Sequence, residues 1–144
     1  MTRLIVLDTN VLVLGILSES GPPGQILDLA LNRSLGLGTE PRILAEYRDV
    51  LARPHLALHQ ARVTQILDAV EKYGREVAAL PWPYPMPDQD DEVFIATAHA
   101  LGAILVTGNI AHYPQTSRAD VPVMTPREFI DLLRRSLPGG CRPA

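Results

Sequence analysis

The chain has 144 residues, 47% hydrophobic and 20% charged, enough for one domain that buries its own core without disulfides or a structural metal. Its net charge of -3 lacks the basic excess of a general nucleic-acid-binding module, but is compatible with an enzyme whose acidic groups hold cations, since bound metal reverses the local sign. The single cysteine, Cys141, excludes a disulfide framework and a cysteine-based zinc site, and with no membrane-length apolar run or signal-peptide pattern the expected location is cytoplasmic.

In chain order, Leu4 to Leu7 is a short continuous apolar run, the pattern of a central strand buried on both faces. Asp8 ends it, and Thr9 or Asn10 can cap a buried helix through Leu17. After a loop over Ser18 to Gly24, Ile26, Leu27, Ala30 and Leu31 mark a second helix face, and Leu35 to Gly38 a short strand. Thr39 and Pro41 open a third helix, with Ile43, Leu44, Tyr47, Val50 and Leu51 at the 3.6-residue period and Pro54 as its end. His59 to Tyr73 reads as a fourth helix stopped by Gly74, and Glu76 to Leu80 as a modest strand. The prolines of Pro81 to Pro87 require extended backbone, on which Trp82 and Tyr84 either cover the local core or anchor an interface.

An acidic knot, Asp88, Asp90, Asp91 and Glu92, then opens a helix with Phe94, Ile95, Ala98 and Leu101 on its inner face. With Asp88 as N-cap, Asp91 falls at the third helical position, at the positive end of the helix dipole. Gly102 closes this helix, and Ala103 to Val106 form a strand ending in Thr107, Gly108 and Asn109. A loop over His112 to Asp120 leads to a last strand at Val121 to Met124. Thr125, Pro126 and Glu128 form a capping box for a final helix carrying Phe129, Ile130 and Leu133. The expected organisation is one domain over residues 1–137 and a flexible tail over 138–144. Alternating helices and strands, with strands lacking polar alternation, predict a mainly parallel, doubly wound α/β sheet with its site beyond the carboxyl ends of the strands, where Asp8 and Asn109 fall.

Each candidate has a structural explanation beside the functional one. Glu46 could form a surface ion pair with Arg42 or Arg53, and Asn109 could be a turn residue. Helix capping accounts for one or two of the three aspartates Asp88, Asp90 and Asp91, but not for all. Several hard oxygen donors without histidine or cysteine partners suit Mg²⁺ or Mn²⁺. A carboxylate cluster without a counter-cation would raise its own pKa values, which implies a bound cation.

The stretches LIVLDTNVLVLGILSESGPPGQILDLA, EPRILAEYRDVLARP and DQDDEVFIATAHALGAILVTGNIAHYP resemble a PIN domain, in particular the VapC-like toxin components of bacterial toxin–antitoxin systems. The resemblance runs from Leu4 to about Leu133. It implies a three-layer α/β/α fold with about five parallel strands, and a divalent-metal-dependent ribonuclease acting on single-stranded RNA, often homodimeric and inhibited by a cognate antitoxin. Carried over by position, Asp8, Glu46 and Asp91 match the first three acids of the family, with Asp88 and Asp90 as further metal ligands. Asn109 stands where many PIN domains have an aspartate, keeping an oxygen but bringing no charge. Thr9, Asn10, Thr107 and His112 are the implied substrate contacts.

A catalytically weak PIN-like module that binds RNA or protein is the alternative from another class. A phosphotransferase with Asp8 as nucleophile would need a second aspartate two residues later, where this chain has Asn10. Dinucleotide binding lacks a glycine-rich turn after the first strand.

Overall fold

In the computed structural model, which describes residues 3–136, the strands are β1 (Arg3–Leu7), β2 (Leu35–Thr39), β3 (Arg75–Glu76), β4 (Ile104–Val106) and β5 (Val123–Met124). The helices are α1 (Thr9–Leu17), α2 (Pro22–Leu31), α3 (Pro41–Leu51), α4 (Gln60–Tyr73), α5 (Glu92–Leu101) and α6 (Pro126–Arg135). The expected tail at 138–144, with Cys141, lies outside the described residues. All five strands pair in parallel, in the order β3-β2-β1-β4-β5. Helices cover the sheet as a three-layer α/β arrangement, α5 lying on β1, β2 and β4, and α2 on β2 beside α1 and α6.

The central strands are apolar throughout because both faces are covered: Ile5, Val6, Leu105 and Val106 are fully buried, packed with Phe94, Ile95 and Ala98 of α5 and with Ile26 and Leu27 of α2. A Cβ at Gly38 of β2 would lie 2.5 Å from the Leu101 side chain, so the bare glycine lets α5 close onto the sheet. Gly102, at φ 63°, ends α5 in the left-handed conformation, with Ala103 N–H on the Ala98 carbonyl at 2.9 Å. The capping box of α6 forms as the sequence predicts, Thr125 and Glu128 exchanging bonds of 2.9 and 3.1 Å.

Several boundaries differ from the sequence reading, each for an identifiable reason. Thr39 belongs to β2, and Glu40 caps α3 by accepting from Arg42 N–H at 2.8 Å. Neither Thr9 nor Asn10 caps α1, since both lie inside the helix and reach other partners. The loop before α2 is shorter, because Pro22 and Pro23 occupy the first turn, where no backbone donor is needed. β3 has two residues: beyond it Ala79 N–H turns to the Glu40 carboxylate at 3.2 Å, and the prolines begin at Pro81. β5 loses Val121 to a turn closed on the Arg118 carbonyl at 2.9 Å. Asp88 caps a 3-10 turn over Gln89–Asp91 through Asp90 N–H at 2.9 Å, so α5 starts at Glu92 and Asp91 is its N-cap residue instead of its third.

Trp82 and Met86 of the proline-rich segment pack against the core, while Tyr84 stays exposed. Half-buried Trp82 donates to the Ser117 carbonyl at 2.8 Å and meets Tyr84 and His99 edge-on, and the Ser117 hydroxyl donates to the Pro85 carbonyl. The segment therefore ties down the 3-10 turn at Gln115–Ser117 that follows Tyr113.

Candidate functional site

Successive strands advance from β1 to β2 and β3 on one side, then from β4 to β5 on the other, so the direction reverses between neighbours β1 and β4. Connections leaving those two strands diverge, which opens a crevice at their carboxyl ends. Asp8 directly follows β1, its N–H on the Val106 carbonyl at 2.9 Å, and Thr107 directly follows β4.

Asp8 is 6% exposed, and two hydroxyls share its Oδ2: Thr107 donates at 2.9 Å and Tyr113 at 3.1 Å. Burial raises the Asp8 pKa, and these two bonds oppose the rise without cancelling it. Both donors are fully buried, so each would lack a partner without the carboxylate. The Tyr113 phenol is itself held well above its usual pKa, first by burial and then by the Asp8 charge, so it remains a donor.

Glu46 projects from α3 and accepts from the Thr9 hydroxyl of α1. Its pKa is raised chiefly by burial, with the charges of Asp8 and Asp90 adding to it. The surface ion pair that could have explained Glu46 does not form: Arg42 pairs with Glu40 and Arg53 with Asp49. Tyr47, the next residue, donates to the Leu7 carbonyl and so anchors α3 to the end of β1. Asp91 uses no side-chain oxygen to cap α5. Its Oδ2 meets His112 Nδ1 at 3.0 Å, and burial first, then the Asp8 charge, push its pKa up to about 6.

Asn109 faces this group through His112, its Nδ2 lying 3.0 Å from His112 Nε2. Asn10 accepts from Gly108 N–H at 3.0 Å, which fixes the turn after β4 against α1. Of the four implied substrate contacts, Thr9, Asn10, Thr107 and His112 all make bonds inside the protein. Asp88 and Asp90 are exposed at the rim, their charges adding to the rise at Asp91 and Glu46 respectively. Tyr113 was not singled out as a site residue from the sequence. An aromatic in an otherwise polar loop was the available signal, but its partner lies 105 positions away.

Among the described residues, no three acidic, histidine or cysteine groups stand closely enough together to hold a metal ion as they are placed. The chemistry of the donor set nevertheless fits a hard divalent cation. Three carboxylates from three elements have pKa values raised first by burial, the Asp8 charge adding to the rise at Glu46 and Asp91, and neither Asp8 nor Glu46 joins an ion pair among the described residues. A groove of about 980 Å³ lies elsewhere, between α2 and α4, lined by Asp28, Arg62, Glu71 and Lys72 but by none of the candidate site residues. Among the described residues no helix is long and apolar enough to cross a membrane.

Comparison with known proteins shows the following similarities. The model of a family described as PIN domain matches residues 4–111, a span that holds Asp8, Glu46, Asp91 and Asn109 and stops just before His112. The uncharacterized protein MJ1680 of Methanocaldococcus jannaschii is 29% identical over 139 residues, covering 88% of this chain and 89% of that protein.

Proposed function

The chain belongs to the PIN-domain family, and from that premise we propose that it is a Mg²⁺- or Mn²⁺-dependent ribonuclease that hydrolyses phosphodiester bonds of single-stranded RNA, the toxin component of a toxin–antitoxin pair. PIN domains are generally metal-dependent nucleases, which supplies the reaction class. The observation that carries the reading is that Asp8, Glu46 and Asp91 all have pKa values raised first by burial, with the Asp8 charge adding to the rise at the other two. Such a cluster is unfavourable alone and favourable around a cation.

Asp8, Glu46 and Asp91 would hold the ion, with Asp88 and Asp90 at the rim; when bound, it supplies charge neutralisation at the phosphate and a more acidic water. The chain's own part is to fix the carboxylates. Thr107 and Tyr113 occupy one oxygen of Asp8, so this residue meets a ligand through the other, and Thr9 orients Glu46 in the same way. In this reading Thr9, Asn10, Thr107 and His112 serve the substrate indirectly, by holding the groups and the turn that face it. The toxin role implies a cytoplasmic protein, a cognate antitoxin and a homodimer.

Purified protein should cleave end-labelled single-stranded RNA with Mn²⁺ or Mg²⁺ and stop in EDTA. Asp8→Asn and Asp91→Asn should each remove nearly all activity, the double variant being little worse. Expression should arrest growth, and Asp8→Asn should relieve the arrest. Cleavage that survives EDTA or Asp8→Asn would remove this site from the reaction.

Asn109, uncharged and paired with His112, favours a second reading as a binding module without useful turnover. Such a module would retain its RNA affinity in Asp8→Asn and show no cleavage in the wild type.

A further inference from the structure

We propose that Asn109 and His112 form a positioning pair that orients Asp91, so that the position where many PIN domains carry an acid acts in this chain through an imidazole instead of as a ligand. The inference builds on the metal-dependent reading above. Its basis is a continuous run of hydrogen bonds between two carboxylates that repel each other. From Asp8 the run passes to the Thr107 hydroxyl at 2.9 Å, which accepts from Asn109 N–H at 3.0 Å. The Asn109 amide meets His112 Nε2 at 3.0 Å, and His112 Nδ1 meets Asp91 at 3.0 Å.

The chemistry of each end sets the middle. A carboxylate oxygen only accepts, so His112 Nδ1 carries the hydrogen toward Asp91; an amide nitrogen only donates, so Nε2 is the bare nitrogen that accepts from Asn109. Asn109 thereby selects the Nδ1–H tautomer and the ring orientation that Asp91 requires. Asp91 has no side-chain capping bond to hold it, which leaves His112 as the group that determines where its carboxylate points. The backbone supports the ring: His112 closes a 3-10 turn on the Asn109 carbonyl at 3.0 Å, and the next residue, Tyr113, is fully buried on Asp8. Outer partners of this kind, which fix a ligand's orientation without touching the metal, commonly contribute 10–100-fold to affinity.

Two measurements test the pair. In the metal-free wild type, ¹⁵N NMR of His112 should show the Nδ1–H tautomer with Nε2 bare; the Nε2–H tautomer would overturn the proposal. Calorimetric titration with Mn²⁺ should show about 10-fold or greater weakening in both His112→Ala and Asn109→Ala. The double variant should bind no more weakly than His112→Ala, because Asn109 acts only through the ring. His112→Asn, which can still present an N–H near the Nδ1 position, should recover part of the affinity and be indifferent to Asn109→Ala. Losses that multiply in the double variant would make Asn109 an independent ligand and overturn the pair. Failure of the wild type to bind Mn²⁺ would refute the metal reading instead, and the tautomer would still decide the pair.

Discussion

Replacing Asp91 by asparagine should stabilise the metal-free protein at neutral pH. The Asp91 pKa rises from the ordinary 3.8 to about 6, through burial and the Asp8 charge. At about 1.36 kcal/mol per pH unit, that rise corresponds to at most about 3 kcal/mol of folding free energy lost when the group ionises. The side chain is 13% exposed and paired with the more exposed His112, and screening reduces the figure to roughly 1–2 kcal/mol. Asparagine keeps an oxygen to accept from His112 and removes only the charge. The sign follows from the direction of the rise. A carboxyl whose folded pKa is raised gives its full stability below about pH 3.8 and loses it as pH climbs through about 6. The variant does not titrate there, so its advantage should be largest near pH 7.5 and vanish toward pH 4. Urea unfolding in EDTA at both pH values measures the difference, and thermal unfolding should show about 3–6 °C at pH 7.5. With millimolar Mn²⁺ the order should reverse, because only the wild type gains the binding energy. A variant less stable than wild type in EDTA at pH 7.5, or an effect independent of pH, would refute the picture of mutually repelling carboxylates.

Mn²⁺ or Mg²⁺ should raise the wild-type melting temperature, by the equivalent of about 2.7 kcal/mol at 100 times the dissociation constant, and Asp8→Asn should blunt the shift; a flat titration would count against a cation site. Tyr113→Phe removes one of the two donors to buried Asp8, so urea unfolding at neutral pH should show a loss of about 1.5–3 kcal/mol, and a loss under about 0.5 kcal/mol would mean the hydroxyl holds nothing. Glu40, its side chain 4% exposed, accepts from the Arg42 guanidinium and from Ala79 N–H, and Arg42 beside it holds its carboxyl below the usual 4.5. Its stabilisation is present above about pH 4.5 and lost as pH falls further. Glu40→Gln should cost roughly 1 kcal/mol at pH 7, since Arg42 is exposed, with the gap closing in acid; a gap that persists there would assign the loss to packing.

Much of the fold is written in local patterns. The capping box at Thr125 and Glu128, the left-handed stop at Gly102 and the apolar run ending at Asp8 all depend on residues within a few positions of one another, and each is found where the sequence puts it. Where the reading missed, either a distant group or a competing local bond had intervened. Glu40 draws Ala79 away from β3 from 39 positions off, which no local pattern around Glu76 to Leu80 records. Asp88 diverts the start of α5 by closing a 3-10 turn, because a short acidic side chain can satisfy a nearby N–H as well as a helix can.

The candidate site divides in the same way. By itself the sequence determined the residue types and their placement at element ends: Asp8 after a buried strand, Glu46 at the border of an apolar stripe, Asp91 at a helix start and Asn109 after a second strand. Only the tertiary structure decided which group holds which. Thr107 is 99 positions from Asp8 and Tyr113 is 105, and they meet because the strand order places β4 beside β1. The packing of α5 on the sheet likewise brings Asp91 within range of the charge on buried Asp8. Hydrogen bonds and Coulomb forces act through space over a few ångströms, so the chain's order supplies the groups and the sheet's order supplies their chemistry.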